Sequence, residues 1–211
     1  MLFVTTFLLI RHALADPVGR LIAGRQPGVH LNDAGRQQAS RLAERLDRVL
    51  LEAIYSSPLE RARETAEPIA GSKRLQVQTV EAWNEIDFGE WTGRALSDLD
   101  PLPEWKRFNS SRSSCTIPGG ENMADVLGRV LRDLDRLRCL HPAQGSCVGI
   151  VSHGDVLRTL VAHVLGIPLD FFQRLEISPA SVTILEISGQ APRVLLLNST
   201  DGWPGAIGRP G

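Results

Sequence analysis

The sequence predicts an α/β fold: a three-layer α/β/α sandwich around a mostly parallel central sheet, with a short lid insertion. Three observations predict it. Short apolar runs rich in β-branched residues alternate with longer stretches of helical periodicity, as strands crossed by helices do. The 211 residues fit one domain, and 43% hydrophobic against 22% charged residues can fill a single core. No internal repeat or low-complexity tract breaks the pattern.

The first strand is the apolar run 1–10 (MLFVTTFLLI), read as buried on both faces in a parallel sheet. It is not read as a signal peptide. It has no basic n-region, and Arg11-His12 stands where a cleavage site would be. It is also shorter than the roughly 20 residues a membrane-spanning helix needs. A Gly/Pro-containing loop covers 16–30. A helix then opens at the N-cap Asn32, with Leu42, Leu46, Val49 and Leu50 on one face. Residues 52–56 (EAIYS) read as a second strand. Ser57-Pro58 reads as an N-cap and first-turn proline for a helix through about residue 70. Residues 75–80 read as a short third strand.

Residues 81–120 are rich in Trp, Asp, Ser and Pro, with a weak helical pattern only over 95–108. So long an irregular stretch inside a domain is commonly a lid or binding loop, and the lid is placed at about 95–120. A long amphipathic helix follows, with Met123, Val126, Leu127, Val130, Leu131, Leu134 and Leu137 on its buried side. Residues 147–152 (CVGIVS) form a fourth strand and 154–165 a helix; 181–187 and 193–198 close the chain as an antiparallel pair. Residues 1–200 are thus one domain. Residues 201–211 read as a loosely ordered tail, the stretch from Thr200 holding four glycines and two prolines.

Charge and cysteine content exclude whole classes of function. Lys and Arg total 23 against 24 Asp and Glu, a net charge of −1. That balance lacks the basic footprint of a nucleic-acid or anionic-membrane binder. Cys115, Cys139 and Cys147 are odd in number and lack CxxC spacing. A disulfide framework and a cysteine zinc site are therefore not expected, and a reducing cytoplasm suits the chain.

Ligands of open α/β sheets lie beyond the carboxyl ends of the strands, and four polar clusters fall there. Arg11-His12 ends the first strand, and Ser57-Pro58 with Arg61 ends the second. Glu85 sits in the irregular segment, and His153-Gly154 ends the fourth strand. One strand-end histidine is ordinarily structural. Two of them with two arginines and a carboxylate describe an anion site, because arginine charge adds to unpaired N–H groups at helix N-termini. Phosphate is the natural guest. A histidine held against phosphate can act as nucleophile, and a protonated carboxyl can supply the leaving group's proton. No HExxH, carboxylate cluster, GxGxxG after the first strand or GxxxxGK[ST] occurs, so no metal or nucleotide cofactor is expected.

The runs LLIRHA (8–13), SSPLERARETA (56–66), NEIDFGEWTG (84–93) and VSHGDVLR (151–158), in that order, resemble the histidine phosphatase superfamily, the phosphoglycerate-mutase-like group of small phosphatases and mutases. The resemblance extends over about residues 7–198. It implies that His12 is the nucleophile and forms a phosphohistidine, and that Arg11, Arg61 and His153, with Gly154 beside it, hold the phosphoryl group. Glu85 is implied as general acid and then as base, without a metal; Asp87 and Glu90 are its neighbouring rivals. Burial near Trp83, Phe88 or Trp91 would have to raise the pKa of the acid; otherwise those aromatics are simply core.

Departures from the family pattern bear on the substrate. Ala13-Leu14 replaces the usual Gly-Glu after the histidine, and the Ala13 N–H is expected to stay available. Ala15, Val18 and Ile86 stand where mutases carry a Ser, an Asn and an Arg that grip phosphoglycerate. Release and hydrolysis are favoured by that loss, so the expected enzyme is a phosphomonoesterase acting on a small phosphorylated metabolite. A phosphoglycerate mutase-type phosphotransferase is one alternative. A catalytically dead phosphate-binding scaffold is another, opposed by the presence of all five site residues. The group includes enzymes acting on sugar phosphates, phosphoglycerates, α-ribazole phosphate and phosphoproteins; some work best at acid pH and many dimerise, making a homodimer an expectation here. Arg25 is a candidate contact to a second anionic group of the substrate, or a solvated arginine. Lys106, Arg107 and Arg112 carry the same two readings. Asp155 is read as capping the next helix or orienting a neighbour, and His30 as structural. His141 and His163 are given no role; the cysteines are read as small apolar side chains, with exposure the alternative for Cys115 in its Ser-rich loop.

Overall fold

The computed structural model describes residues 4–16, 20–188 and 191–201. Among them, six strands form one sheet: β1 (Thr5–Arg11), β2 (Ala53–Ser56), β3 (Val77–Thr79), β4 (Ser146–Ser152), β5 (Val182–Ile187) and β6 (Arg193–Ser199). Their spatial order is β3-β2-β4-β1-β5-β6. Neighbours from β3 to β1 pair in parallel, while β5 is antiparallel to both β1 and β6. The sheet is mostly parallel, as expected. The tail call on 201–211 lies, apart from Asp201, outside the described residues.

Alternation along β1 explains why it reads as a continuous apolar run. Phe7 and Leu9 join one core cluster, whereas Leu8 and Ile10 join the other. Both faces must therefore be covered. Helices α1 (Asp33–Arg45) and α2 (Glu60–Lys73) cover the Leu8 side through Leu42, Ala62 and Ile69. The Phe7 side is covered first by helices α3 (Leu96–Leu99) and α4 (Pro103–Ser110), through Leu99 and Phe108. Helices α5 (Met123–Leu140) and α6 (Gly154–Val164) complete it through Val126, Val130, Leu157 and Leu160. No helix among the described residues is long and apolar enough to cross a membrane.

The Asn32 cap forms as read, its side chain accepting from the Gly35 amide at 2.8 Å. The helix stops at Arg45, however. Leu46 and Val49 remain buried, but Leu50 is 89% exposed, because the helical period no longer applies beyond the helix end. Gly35 lies directly under the loop that follows His12. A Cβ there would stand 1.9 Å from the Leu14 carbonyl oxygen. Gly35→Ala should therefore cost on the order of 1–3 kcal/mol, read as a lower thermal unfolding midpoint.

Ser57 does not cap α2, which begins at Glu60 after an extended Leu59. The irregular segment contains two single 3₁₀ turns, Glu81–Trp83 and Gly89–Trp91, followed by α3 and α4. Its aromatics make a local core: Trp91 meets Trp105 and Phe108 edge-on, with ring centroids 5.3 Å apart in each case. Arg112 is no solvated face. It is only 4% exposed, its guanidinium lies 4.2 Å and 4.7 Å from the Phe108 and Phe172 ring centroids, and it donates to Asp155 at 2.9 Å. Cys115 is buried rather than exposed, closed in by the same packing. Lys106 and Arg107 do lie on the surface.

Neighbouring parallel strands β1 and β4 lead into helices on opposite faces, α1 and α6. A crevice opens beyond their carboxyl ends, where Arg11 pairs in register with Ser152.

Candidate active site

His12 follows β1 and is fastened to β4, its amide donating to the Ser152 carbonyl at 2.9 Å. Its ring Nδ1 lies 2.7 Å from the Ala13 carbonyl oxygen. A carbonyl only accepts, so Nδ1 carries the proton and Nε2 keeps a lone pair. Burial first, and then the positive charges of Arg61 and Arg11, lower the His12 pKa to about 3. The imidazole is thus neutral at ordinary pH, and its Nε2 lone pair is available to a ligand. The Ala13 amide, expected to be available, instead donates to Thr65 Oγ1 at 3.0 Å.

Three hydrogen-bonding groups surround His12 without partners. Arg61, on the first turn of α2, is 1% exposed. Its Nη2 donates to the Gly24 carbonyl at 2.8 Å, and its Nη1 is unpaired. Arg11 donates through Nη1 to the Ile177 carbonyl at 2.6 Å, leaving Nε unpaired. It can lie across the start of α6 because Gly154 is there: a Cβ at that position would approach the guanidinium carbon to 3.1 Å. His153, the residue before α6, places its ring centroid 5.1 Å from that of His12. Its Nε2 bonds Ser57 Oγ at 2.7 Å, and Nδ1 is unpaired. The Leu59 amide donates to the same serine oxygen; with the Ser57 hydroxyl as donor to Nε2, the ring proton is carried on Nδ1. Burial and the neighbouring Arg61 hold the His153 pKa well below its usual range. Orphaned buried polar groups cost stability, and three around one neutral imidazole are a candidate anion cradle.

Glu85 completes the ring of groups, its Oε2 3.7 Å from His153 Nδ1. Burial first, then the negative Asp155, raise its pKa, while Arg61 and Arg11 oppose the shift. The result is a carboxyl that holds its proton above the ordinary carboxylate range. Asp87 instead accepts from the Gly89 amide at 3.0 Å, and Glu90 is exposed. Of the three acidic candidates, Glu85 alone reaches His153.

The cleft over these groups has a volume of about 320 Å³. Leu21, Ile22, Phe88 and Leu96 form an apolar wall; Asp155 and Arg158 are its charged side. Asp155 orients its neighbours rather than capping α6 through a side-chain bond, pairing with Arg158 at 2.8 Å as well as with Arg112. Arg25 does not line this cleft: its guanidinium pairs with Glu121 at 2.9 Å and donates to the Glu85 carbonyl at 2.8 Å. His30 bonds Glu64 on the surface. His141 bonds Tyr55 and Glu52, each at 2.9 Å, and His163 is exposed. Of the three positions that mutases use for phosphoglycerate, Ala15 and Ile86 are buried in the core; Val18 lies outside the described residues. The structural role of Ser57 was missed, although its place at a strand end was the available signal.

A doubly covered α/β sheet with this cradle at its switch point defines an enzyme that handles phosphate. The family model of the histidine phosphatase superfamily (branch 1) matches residues 7–200. The chain is 34% identical over 197 residues to phosphoserine phosphatase 1 of Hydrogenobacter thermophilus, covering 92% of each chain. Its fold matches that of a mycobacterial glucosyl-3-phosphoglycerate phosphatase with a TM-score of 0.83 at 26% identity, covering 93% of this chain and 99% of the other. The α-ribazole phosphatase of Shigella flexneri gives a TM-score of 0.83 at 27% identity, over 95% and 100% of the two chains. The protein belongs to the histidine phosphatase superfamily, branch 1, as a phosphatase of the phosphoglycerate-mutase-like type.

Proposed function

We propose that the protein is a metal-independent phosphomonoesterase that hydrolyses a small phosphorylated metabolite through a phosphohistidine at His12. The observation that carries this reading is the neutral His12 Nε2 lone pair surrounded by unpaired Arg11 Nε, Arg61 Nη1 and His153 Nδ1. In the first step the Nε2 lone pair attacks phosphorus, the P–O ester bond breaks, and the Glu85 carboxyl protonates the departing oxygen. In the second, a water oxygen attacks the phosphohistidine, its proton passes to the Glu85 carboxylate, and the P–N bond breaks to release orthophosphate. Both guanidiniums supply the positive field around the transferring group and the neutral His153 ring faces it with Nδ1, so the chemistry asks for no metal.

A cleft of about 320 Å³ under a lid favours a small leaving group over a protein. The residue that follows Glu85 in the chain is the buried Ile86 and not an arginine that could retain a product carboxylate, which supports hydrolysis over mutase chemistry. The near-neutral chain is assigned to the cytoplasm, away from nucleic acid and membrane.

The test is hydrolysis of p-nitrophenyl phosphate with EDTA present, followed by a panel of natural phosphomonoesters. Chelator-resistant turnover is expected, and its loss to EDTA would overturn the metal-free reading. Inorganic phosphate should also raise the thermal midpoint by binding the folded state alone. That stabilisation should fall away in Arg61→Ala, which should lose on the order of 10²-fold in kcat/KM.

A further inference from the structure

We infer that Arg25 and Arg129, bridged by Glu121, are positioning residues that hold the general acid Glu85 through its backbone carbonyl. The inference rests on the role proposed for Glu85. Two separate parts of the chain converge on that one oxygen, the loop after β1 with Arg25 and α5 with Arg129, and Glu121 from the turn before α5 joins the two arginines. Arg25 Nε donates to the Glu85 carbonyl at 2.8 Å, and Arg129 Nη2 donates to it at 3.3 Å. Arg129 Nη1 also donates to the Ala82 carbonyl at 2.6 Å, so both ends of the short segment carrying the acid are pinned. Glu121 accepts from Arg129 Nε at 3.1 Å and from Arg25 Nη2 at 2.9 Å. It also receives the Asp87 amide at 3.1 Å, on the far side of Glu85.

Physical need explains the device. Glu85 sits on neither helix nor strand, and its own bonds are local, to Asn84 and the Ile86 amide. An acid must nevertheless stand within hydrogen-bond reach of the leaving oxygen, and small misplacements are expensive in rate. Charge-assisted bonds to the carbonyl supply rigidity that the irregular backbone lacks. Glu121 makes this compatible with acid chemistry. Two bare guanidiniums so near would favour loss of the carboxyl proton, whereas the bridging carboxylate offsets their field. The cations that oppose the raised pKa of Glu85 are the phosphate-holding Arg61 and Arg11. Arg25 is thereby reassigned: it acts through the acid's backbone, not on a second anion of the substrate.

The experiment compares phenyl phosphate with p-nitrophenyl phosphate on the full chain carrying Arg25→Gln. Nitrophenolate leaves readily without a proton, whereas phenolate needs the acid. The expected result is a phenyl-to-nitrophenyl ratio of kcat/KM values lowered about tenfold, because kcat/KM reports the step in which the ester oxygen leaves, with partial recovery in Arg25→Lys. Glu121→Gln should shift the ratio the same way, and it serves as the test should Arg25→Gln fail to fold. Equal losses of kcat/KM on both esters, or an unchanged ratio, would overturn the inference while leaving the phosphatase reading intact. Absence of His12-dependent turnover in the native protein would instead overturn that reading, and this one with it.

Discussion

His12→Ala is expected to eliminate turnover of p-nitrophenyl phosphate together with any acid-labile phosphoenzyme. The expected loss is about 10⁴-fold or more, the scale seen when a covalent nucleophile is deleted. No neighbour can substitute. His153 is turned to Ser57 through its Nε2, and its Nδ1 is taken to carry a proton. The same substitution has a second, independent signature in stability. His12 has a folded pKa of about 3 against an ordinary 6.5. Below pH 6.5 the unfolded chain takes up a proton that the folded chain refuses. Stability present above that pH is therefore lost as pH falls toward 3. Alanine removes this penalty, so the thermal midpoint of the variant should decline less on acidification than that of the native protein. Near-native turnover in the variant would sink the covalent mechanism. An unchanged acid dependence would mean that His12 is not held neutral.

The elements legible in the sequence are those whose burial is dictated locally. β1 reads plainly because both of its faces are covered, and Asn32 reads as a cap because its bond closes within three residues. The catalytic candidates were found by their place at strand ends, which the topology turns into one crevice. Side chains fixed by distant partners were read less well. Ser57 followed by proline looks like a helix start, yet its amide donates to the Val151 carbonyl at 2.9 Å. The sheet ladder thus holds it extended one residue past β2, and its hydroxyl goes to His153 instead of to a helix end. Arg112 lies in a serine-rich stretch that looks solvated; Phe108, Phe172 and Asp155, which bury it, come from different elements. Arg25 likewise carries no local sign of Glu121, nearly a hundred residues away in sequence. Tertiary pairing of charges has no period, so it leaves no mark that spacing rules can find.

Glu85→Gln gives the other large effect, and its size depends on the leaving group. Glutamine keeps the shape but has no proton to give at the ester oxygen and no basic oxygen to activate water. For alkyl phosphates the expected loss in kcat is on the order of 10²–10⁴-fold. For p-nitrophenyl phosphate the first step needs little acid assistance. The phosphohistidine should form and then linger, because water attack on it still requires the missing base. Denaturing the protein at alkaline pH, where a phosphohistidine survives, should therefore reveal more phosphoenzyme in the variant at steady state than in the native protein, the opposite of the His12→Ala result. The pH profile supplies the sign. Burial and Asp155 raise the carboxyl pKa, so the native alkaline limb for alkyl esters should lie above the ordinary carboxylate range and vanish in the variant. If Asp87 were the acid, the limb and most of the activity would survive Glu85→Gln. Its carboxylate is already accepting from the Gly89 amide and faces Arg25 at 3.8 Å, which holds it away from His153. Survival of alkyl phosphatase activity in Glu85→Gln, lost only on further replacement of Asp87, would reverse the assignment.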